Sequence, residues 1–127
     1  MARPQLRPTD AELAILRVLW ERGASTVRQV HEALAGTRET GYTTTLKLMQ
    51  IMADKGLVKR NETARTHVYS AIAGEEQTQR QLVRDLVDRA FGGSAEQLFM
   101  SAMGATNATA DELSRIRALL DEARKKK

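Results

Sequence analysis

Histidine and cysteine are the usual starting points for catalysis or metal binding, and this chain has few of either. It contains two histidines, His31 and His67, and no cysteine. An enzyme site needs a nucleophile, an acid–base group and a stabilising group brought together, and a metal site needs several ligands at a set spacing. The sequence offers neither pattern and no glycine-rich phosphate loop. It therefore predicts a protein that is not an enzyme and needs no cofactor or metal.

Hydroxyl and basic side chains form a different pattern, one that favours contact with DNA. Residues 42–50 read YTTTLKLMQ, and hydroxyl groups suit the start of a helix. Threonine and lysine side chains hydrogen-bond base edges or phosphates, and threonine or leucine methyls contact the thymine methyl. The residues predicted to face DNA are Thr43, Thr44 and Lys47, followed by Leu46 and Gln50, while Thr45, Leu48, Met49 and Met52 are assigned to the core.

Alternatives remain open at the start of this helix. The hydroxyls of Thr43 and Thr44 also fit a role as helix caps alone, and a cap leaves an oxygen lone pair for a second partner. Tyr42 either bonds a phosphate through its hydroxyl or is a buried ring whose hydroxyl reaches water.

Positive charge is concentrated in the same half of the chain. The net charge is +4, and residues 1–72 carry eleven Lys or Arg against seven Asp or Glu, whereas residues 73–127 carry nine of each. An excess of cations attracts the phosphate backbone and releases its counterions. The candidate phosphate contacts are Arg28, Lys59, Arg60, Arg65 and His67, although each is also typical of a solvated surface. The run 124–127 is interpreted as a solvated helix end.

The elements that must position these residues are six helices and one hairpin. Thr9 followed by Glu12 predicts a capped first helix, Ser25 or Thr26 caps a second that ends at Gly36, and residues 42–55 form the third. Residues 57–60 and 66–70 are β-prone runs around a basic tip at 61–65. This order predicts a mainly α fold with a small β-hairpin wing, a winged helix-turn-helix DNA-binding domain over residues 1–74.

Residues 75–127 are predicted to form a helical dimerisation domain. Three amphipathic helices follow the wing, and the first three helices and the hairpin already close the winged domain's core. A second copy of the chain is the expected cover for their apolar stripes, although folding back as a monomer is the alternative. The predicted dimer contacts are Leu82, Leu86, Phe91, Leu98, Phe99, Leu113, Ile116 and Leu120.

Two other functions fit the same elements. One is a ligand-sensing winged-helix regulator of another family, with a pocket lined by Phe91, Phe99, Met100 and Met103. The other is a winged helix that binds protein rather than DNA. Saturable, sequence-dependent binding to a palindromic duplex distinguishes the repressor from the second alternative.

Four segments together resemble the penicillinase repressor family, the BlaI/MecI-type repressors, over essentially the whole chain. They are the helix at 11–20, the Tyr42-Thr43-Thr44-Thr45 helix start, the run at 55–60, and Phe91-Gly92-Gly93. The resemblance implies a homodimeric repressor on an inverted-repeat operator of double-stranded DNA, controlling resistance or cell-envelope stress genes.

The resemblance also bears on release from DNA. Members of the family are often released by a membrane sensor protease, commonly through an Asn-Phe bond in the helix after the Gly-Gly pair. This sequence has Ser101-Ala102 there, so the releasing event stays open. The copper-responsive branch binds metal through C-terminal cysteines, which this chain lacks.

The expected location is the cytoplasm, without membrane insertion. No apolar run approaches the roughly 20 residues of a membrane span, and residues 1–8 lack the apolar segment of a secretory signal.

Overall fold

The computed structural model describes residues 7–63 and 65–126. Within them the chain forms six helices and three short strands. The helices are α1 (Asp10–Arg22), α2 (Val27–Leu34), α3 (Tyr42–Lys55), α4 (Glu75–Ala90), α5 (Ala95–Ala105) and α6 (Ala110–Lys125), and the strands are β1 (Ser25–Thr26), β2 (Val58–Asn61) and β3 (Val68–Ala71). The predicted mainly α fold with a β-hairpin wing is confirmed.

Side-chain caps fix the starts of α1 and α2. The Thr9 hydroxyl accepts the backbone N–H of Glu12, whose carboxylate accepts the N–H of Thr9 in return, so two unpaired donors are satisfied. Thr26 and Gln29 form the same reciprocal pair at the start of α2. This helix ends at Leu34, before the predicted stop at Gly36.

The start of α3 corrects the capping interpretation of its threonines. Gly41 is the N-cap and contributes no side-chain hydrogen bond. Because the helix begins at Tyr42, Thr43 and Thr44 lie inside its first turn and do not cap it. Thr45 instead turns inward, where its Oγ1 donates to the carbonyl of Gly41 at 3.3 Å.

The three strands form one antiparallel sheet in the order β1-β3-β2. β2 and β3 are the predicted hairpin, and Val58 pairs with Ala71 while Asn61 pairs with Val68. β1 was not predicted, because two residues carry no periodic signal. It pairs Ser25 with Tyr69. The sheet therefore ties the wing to the start of α2.

The buried core lies among α1, α2, α3 and the sheet. Trp20 is half-buried at its edge, and its Nε1 donates to the carbonyl of Ala73 at 2.8 Å, as expected for a core tryptophan with a satisfied polar atom. The core residues are Ile15, Leu16, Leu19, Val27, Val30, Leu34, Met49, Met52, Leu57, Val58 and Tyr69.

A buried ion pair joins α1 to the last residue of α3. Glu12 is 2% exposed, and its two carboxylate oxygens lie 3.0 and 2.8 Å from Nζ of Lys55. Burial alone raises the pKa of Glu12, but the hydrogen bonds from Lys55 and from the Thr9 N–H, together with the charge of Lys55, lower the pKa overall. Glu12 is therefore charged when folded, and it fixes the C-terminal end of α3.

The chain divides into two compact units, the first ending at Leu82 and the second beginning at Val83. In the second unit α4 ends at Ala90, and Gly92 and Gly93 follow with φ of 56° and 85°, values that favour glycine. Ser94 then caps α5, and Thr109 caps α6 by accepting the N–H of Glu112. Neither α5 nor α6 has a buried residue among those described. No helix in the described ranges is long and apolar enough to cross a membrane.

Candidate nucleic-acid interface

A cleft of about 650 Å³ lies between the start of α2, one side of α3 and the wing. All of these elements belong to the first compact unit. Four of the predicted phosphate contacts line it, together with the predicted α3 residues nearest the wing. The lining residues are Thr26, Val27, Arg28, Gln29, Tyr42, Leu46, Gln50, Arg60, Arg65, Thr66, His67 and Tyr69.

The outward face of α3 is largely as predicted. Thr43, Thr44, Lys47 and Gln50 are exposed, while the predicted core residues Thr45, Met49 and Met52 are buried and Leu48 is half-buried. The helix therefore presents hydroxyl, ammonium and amide groups to a partner and keeps its apolar groups inside.

Leu46 and Ile51 depart from the prediction in opposite directions. Leu46 was placed outward but is half-buried against the core, and only its remaining surface reaches the cleft. Ile51, four residues after Lys47 and therefore on the same side of α3, is exposed but was not selected. A stricter application of helical periodicity from Lys47 would have found it.

Tyr42 is a surface ring rather than a buried one. It is 43% exposed because it occupies the first position of α3, beyond the core. The Arg28 guanidinium carbon lies 5.8 Å from the ring centroid, within the range of a cation–π contact. The His31 and Tyr42 rings are nearly perpendicular, with 5.9 Å between their centroids. The stack holds Arg28 beside the start of α3.

The wing carries Lys59, Arg60, Arg65 and His67 on exposed positions, and two of these residues lie close to Glu62. Nη2 of Arg60 lies 3.1 Å from one oxygen of Glu62, and Nε2 of His67 lies 3.7 Å from the other. A side-chain hydrogen bond with Tyr69 and the charge of Glu62 raise the pKa of Arg60. Within the described part of the chain, Lys59 and Arg65 form no ion pair.

Comparison with known proteins identifies the family. The penicillinase repressor family model matches residues 8–122. The chain belongs to the penicillinase repressor family. A transcriptional regulator BlaI from two strains of Mycobacterium tuberculosis (CDC 1551 / Oshkosh and ATCC 25618 / H37Rv) is 35% identical to it over 106 residues, which cover 80% of this chain and 77% of the relative.

A solved structure shows the same fold over part of the chain. The solution structure of the DNA-binding domain of the repressor BlaI is 24% identical and has a TM-score of 0.50, covering 61% of this chain and 93% of that one. The resemblance found in the sequence is thus confirmed, and so is the class of function: this family member is a transcriptional repressor of the BlaI type and not an enzyme.

Each of the last three helices of this family member carries apolar side chains that the single chain leaves wholly or partly uncovered. Among the predicted dimer contacts, Leu86, Phe99, Leu113 and Leu120 are exposed in the single chain, and Leu82, Phe91, Leu98 and Ile116 are half-buried. Met100, assigned to a ligand pocket in the alternative interpretation, is 67% exposed. Such a series of large apolar groups on one short chain is typical of an association surface.

Proposed function

We propose that this family member binds an inverted-repeat operator in double-stranded DNA as a homodimer and thereby represses transcription. The observation that supports this most directly is the cleft, whose lining brings Arg28, Arg60 and Arg65 to one side of α3. Thr43, Thr44 and Lys47 are exposed on the same helix, outside the cleft lining. Cations on the rim and hydrogen-bonding groups on a central helix are the arrangement that reads a duplex.

In this proposal α3 lies in the major groove and carries the sequence information. Its N-terminal residues reach base edges first, so Thr43, Thr44 and Lys47 are the proposed readers, with Gln50 and the surface of Leu46 beside them. The phosphate contacts in this proposal come from α2, the first residue of α3 and the wing. They are Arg28, Tyr42, Lys59, Arg60, Arg65 and His67.

The dimer in this proposal forms through residues 75–127, with residues 1–74 as the DNA-binding part. The exposed apolar side chains of α4, α5 and α6 support it, since burying them against a second copy removes them from water. Two copies related by a twofold axis then place two α3 helices on two half-sites.

For regulation we infer that the protein acts in the cytoplasm and controls resistance or cell-envelope stress genes. We also infer that a membrane sensor protease is a further partner, which acts on α5. The family's description as penicillinase repressors supports the first part. Ser101 is exposed on α5 and Ala102 is half-buried, so cleavage at this bond requires α5 to open locally. Sequencing the fragments that form in cells exposed to a β-lactam tests the partner.

Selection of an operator tests the DNA-binding proposal. The full-length protein is incubated with a random duplex pool, bound DNA is enriched over several rounds, and the selected duplex is footprinted. We expect an inverted repeat whose half-site centres lie about 34–36 Å apart or at a multiple of that spacing. Enrichment of no sequence over the starting pool, at about 100 mM salt, would contradict sequence-specific binding.

A matched pair of variants assigns the reading role to α3. Thr44→Ala removes a hydroxyl from the outward face of α3, and Thr63→Ala removes one from the wing tip. We expect Thr44→Ala to change the selected sequence or relax one position in it, and Thr63→Ala to leave the sequence unchanged. The opposite result would move the reading surface to the wing.

A further inference from the structure

The wing tip is organised around a single carboxylate. The Oδ1 of Asn61 accepts the backbone N–H of Thr63 at 2.9 Å and its hydroxyl at 2.8 Å, so the chain turns tightly across Glu62. Glu62 is 55% exposed and reaches Arg60 with one oxygen and His67 with the other. These two partners flank the tip on both sides of the hairpin.

Both partners of Glu62 belong to the proposed phosphate contacts. Arg60 and His67 also line the cleft with Arg28 and Arg65. A guanidinium that is bound to a carboxylate must exchange it for a phosphate oxygen, or else bring the negative charge of the carboxylate toward the DNA. Either course reduces the attraction that the wing gains from each phosphate.

We propose that Glu62 limits the DNA affinity of the wing by competing with phosphates for Arg60 and His67. The inference rests on the DNA-binding function proposed above. Contacts to phosphate carry no sequence information, so this competition lowers affinity for any duplex. Because operator and non-operator sites are weakened alike, the specificity ratio is unchanged and the fraction of repressor that is free of DNA increases.

The decisive variant is Glu62→Gln, which keeps the size of the side chain and removes its charge. Binding of the full-length protein to the selected operator and to a scrambled duplex of equal length is measured by fluorescence anisotropy across a salt series. We expect binding to both duplexes to tighten by about two- to fivefold, the scale of an exposed ion pair. The plot of log K against log salt should steepen by about one.

Two further variants define how Glu62 acts. Glu21→Gln makes the same charge change on the exposed surface of α1, outside the cleft, and should leave affinity and salt dependence unchanged. In an Arg60→Gln background, Glu62→Gln should tighten binding less than it does in the wild type. An equal gain in both backgrounds would show a general charge effect and overturn competition for Arg60.

The remaining outcomes also decide the question. Unchanged binding of Glu62→Gln to both duplexes would overturn the proposal. Weaker binding to both duplexes would also overturn it and would assign Glu62 the role of positioning Arg60. Weaker binding to the operator alone would make Glu62 a base contact instead. If the wild-type protein binds neither duplex, the DNA-binding function itself fails, which is a distinct result.

Discussion

The two units of the chain use their apolar residues in different ways. In the first, Leu16, Val30 and Met49 are completely buried, and three helices and the sheet enclose them. In the second, α5 and α6 are well capped and of ordinary length, yet none of their described residues is buried. Helices of this length are marginal without packing. The first unit therefore carries its own stability, whereas the second requires a further surface to cover it.

The largest expected effect comes from deleting a side chain in the closed core. Leu16→Ala leaves a cavity beside Ile15 and Leu19 and should lower the free energy of unfolding by about 2–5 kcal/mol in urea titrations. Leu119→Ala is the matched control, because Leu119 is 69% exposed and its loss should change stability by less than about 0.5 kcal/mol. Equal effects would contradict the contrast between the two units.

The next largest effect concerns the second copy of the chain that is proposed to cover the apolar side chains of the second unit. Leu113 and Leu120 lie on one side of α6, and replacing both by Asp should weaken the proposed dimer by about 100-fold, measured by sedimentation velocity. The melting of the first unit should persist. Ala118→Asp, on the opposite side of α6 from Leu113 and Leu120, is the control and should leave the proposed dimer intact. A double variant that remains dimeric would exclude this side of α6 from the interface.

Much of the fold was predictable because its signals are local. The Thr9–Glu12 capping box, the hydroxyl cap at Thr26 and the change from helical to alternating periodicity after Gly56 all operate within a few residues. β1 was missed because its two residues become a strand only through pairing with Tyr69 and Val68, far along the chain.

The residues of the candidate site were predictable from the sequence, but the contacts between their side chains were not. The exposed cations and threonines follow from residue type and helical spacing. The Glu12–Lys55 pair spans 43 residues, and the Arg28–Tyr42 stack depends on how α2 crosses α3, so neither has a local signal. Glu62 meets Arg60 and His67 only because of the way the hairpin turns at its tip. Counting charges in the sequence does not reveal these contacts.

The buried ion pair provides a smaller test within the first unit. Glu12→Gln retains the capping oxygen but loses the charge that faces Lys55, and should lower the free energy of unfolding by about 1–3 kcal/mol near pH 7. Lys55 is partly exposed and regains water, which keeps the loss below that of Leu16→Ala. Circular dichroism during urea titration measures it, and Glu21→Gln is the exposed control.

The same pair sets a pH dependence with a definite sign. Because the pKa of Glu12 is lowered in the folded chain from its ordinary value of 4.5, the unfolded chain binds the proton first as pH falls. The stabilisation is complete above about pH 4.5 and is lost as pH falls through the folded pKa. The difference in stability between wild type and Glu12→Gln should therefore shrink in acid. A difference that grows below pH 4.5 would contradict the assigned role.

The smallest expected effect compares how a lysine in each unit contributes to DNA binding. Lys47→Ala removes an ammonium from the outward face of α3, and Lys125→Ala removes one from the last turn of α6. If Lys47 contacts a phosphate, its loss lowers the slope of log K against log salt by about one, and if it contacts a base, the preference at one position relaxes instead. Lys125→Ala should do neither. The same response from both lysines would mean that net charge, rather than the α3 surface, governs binding.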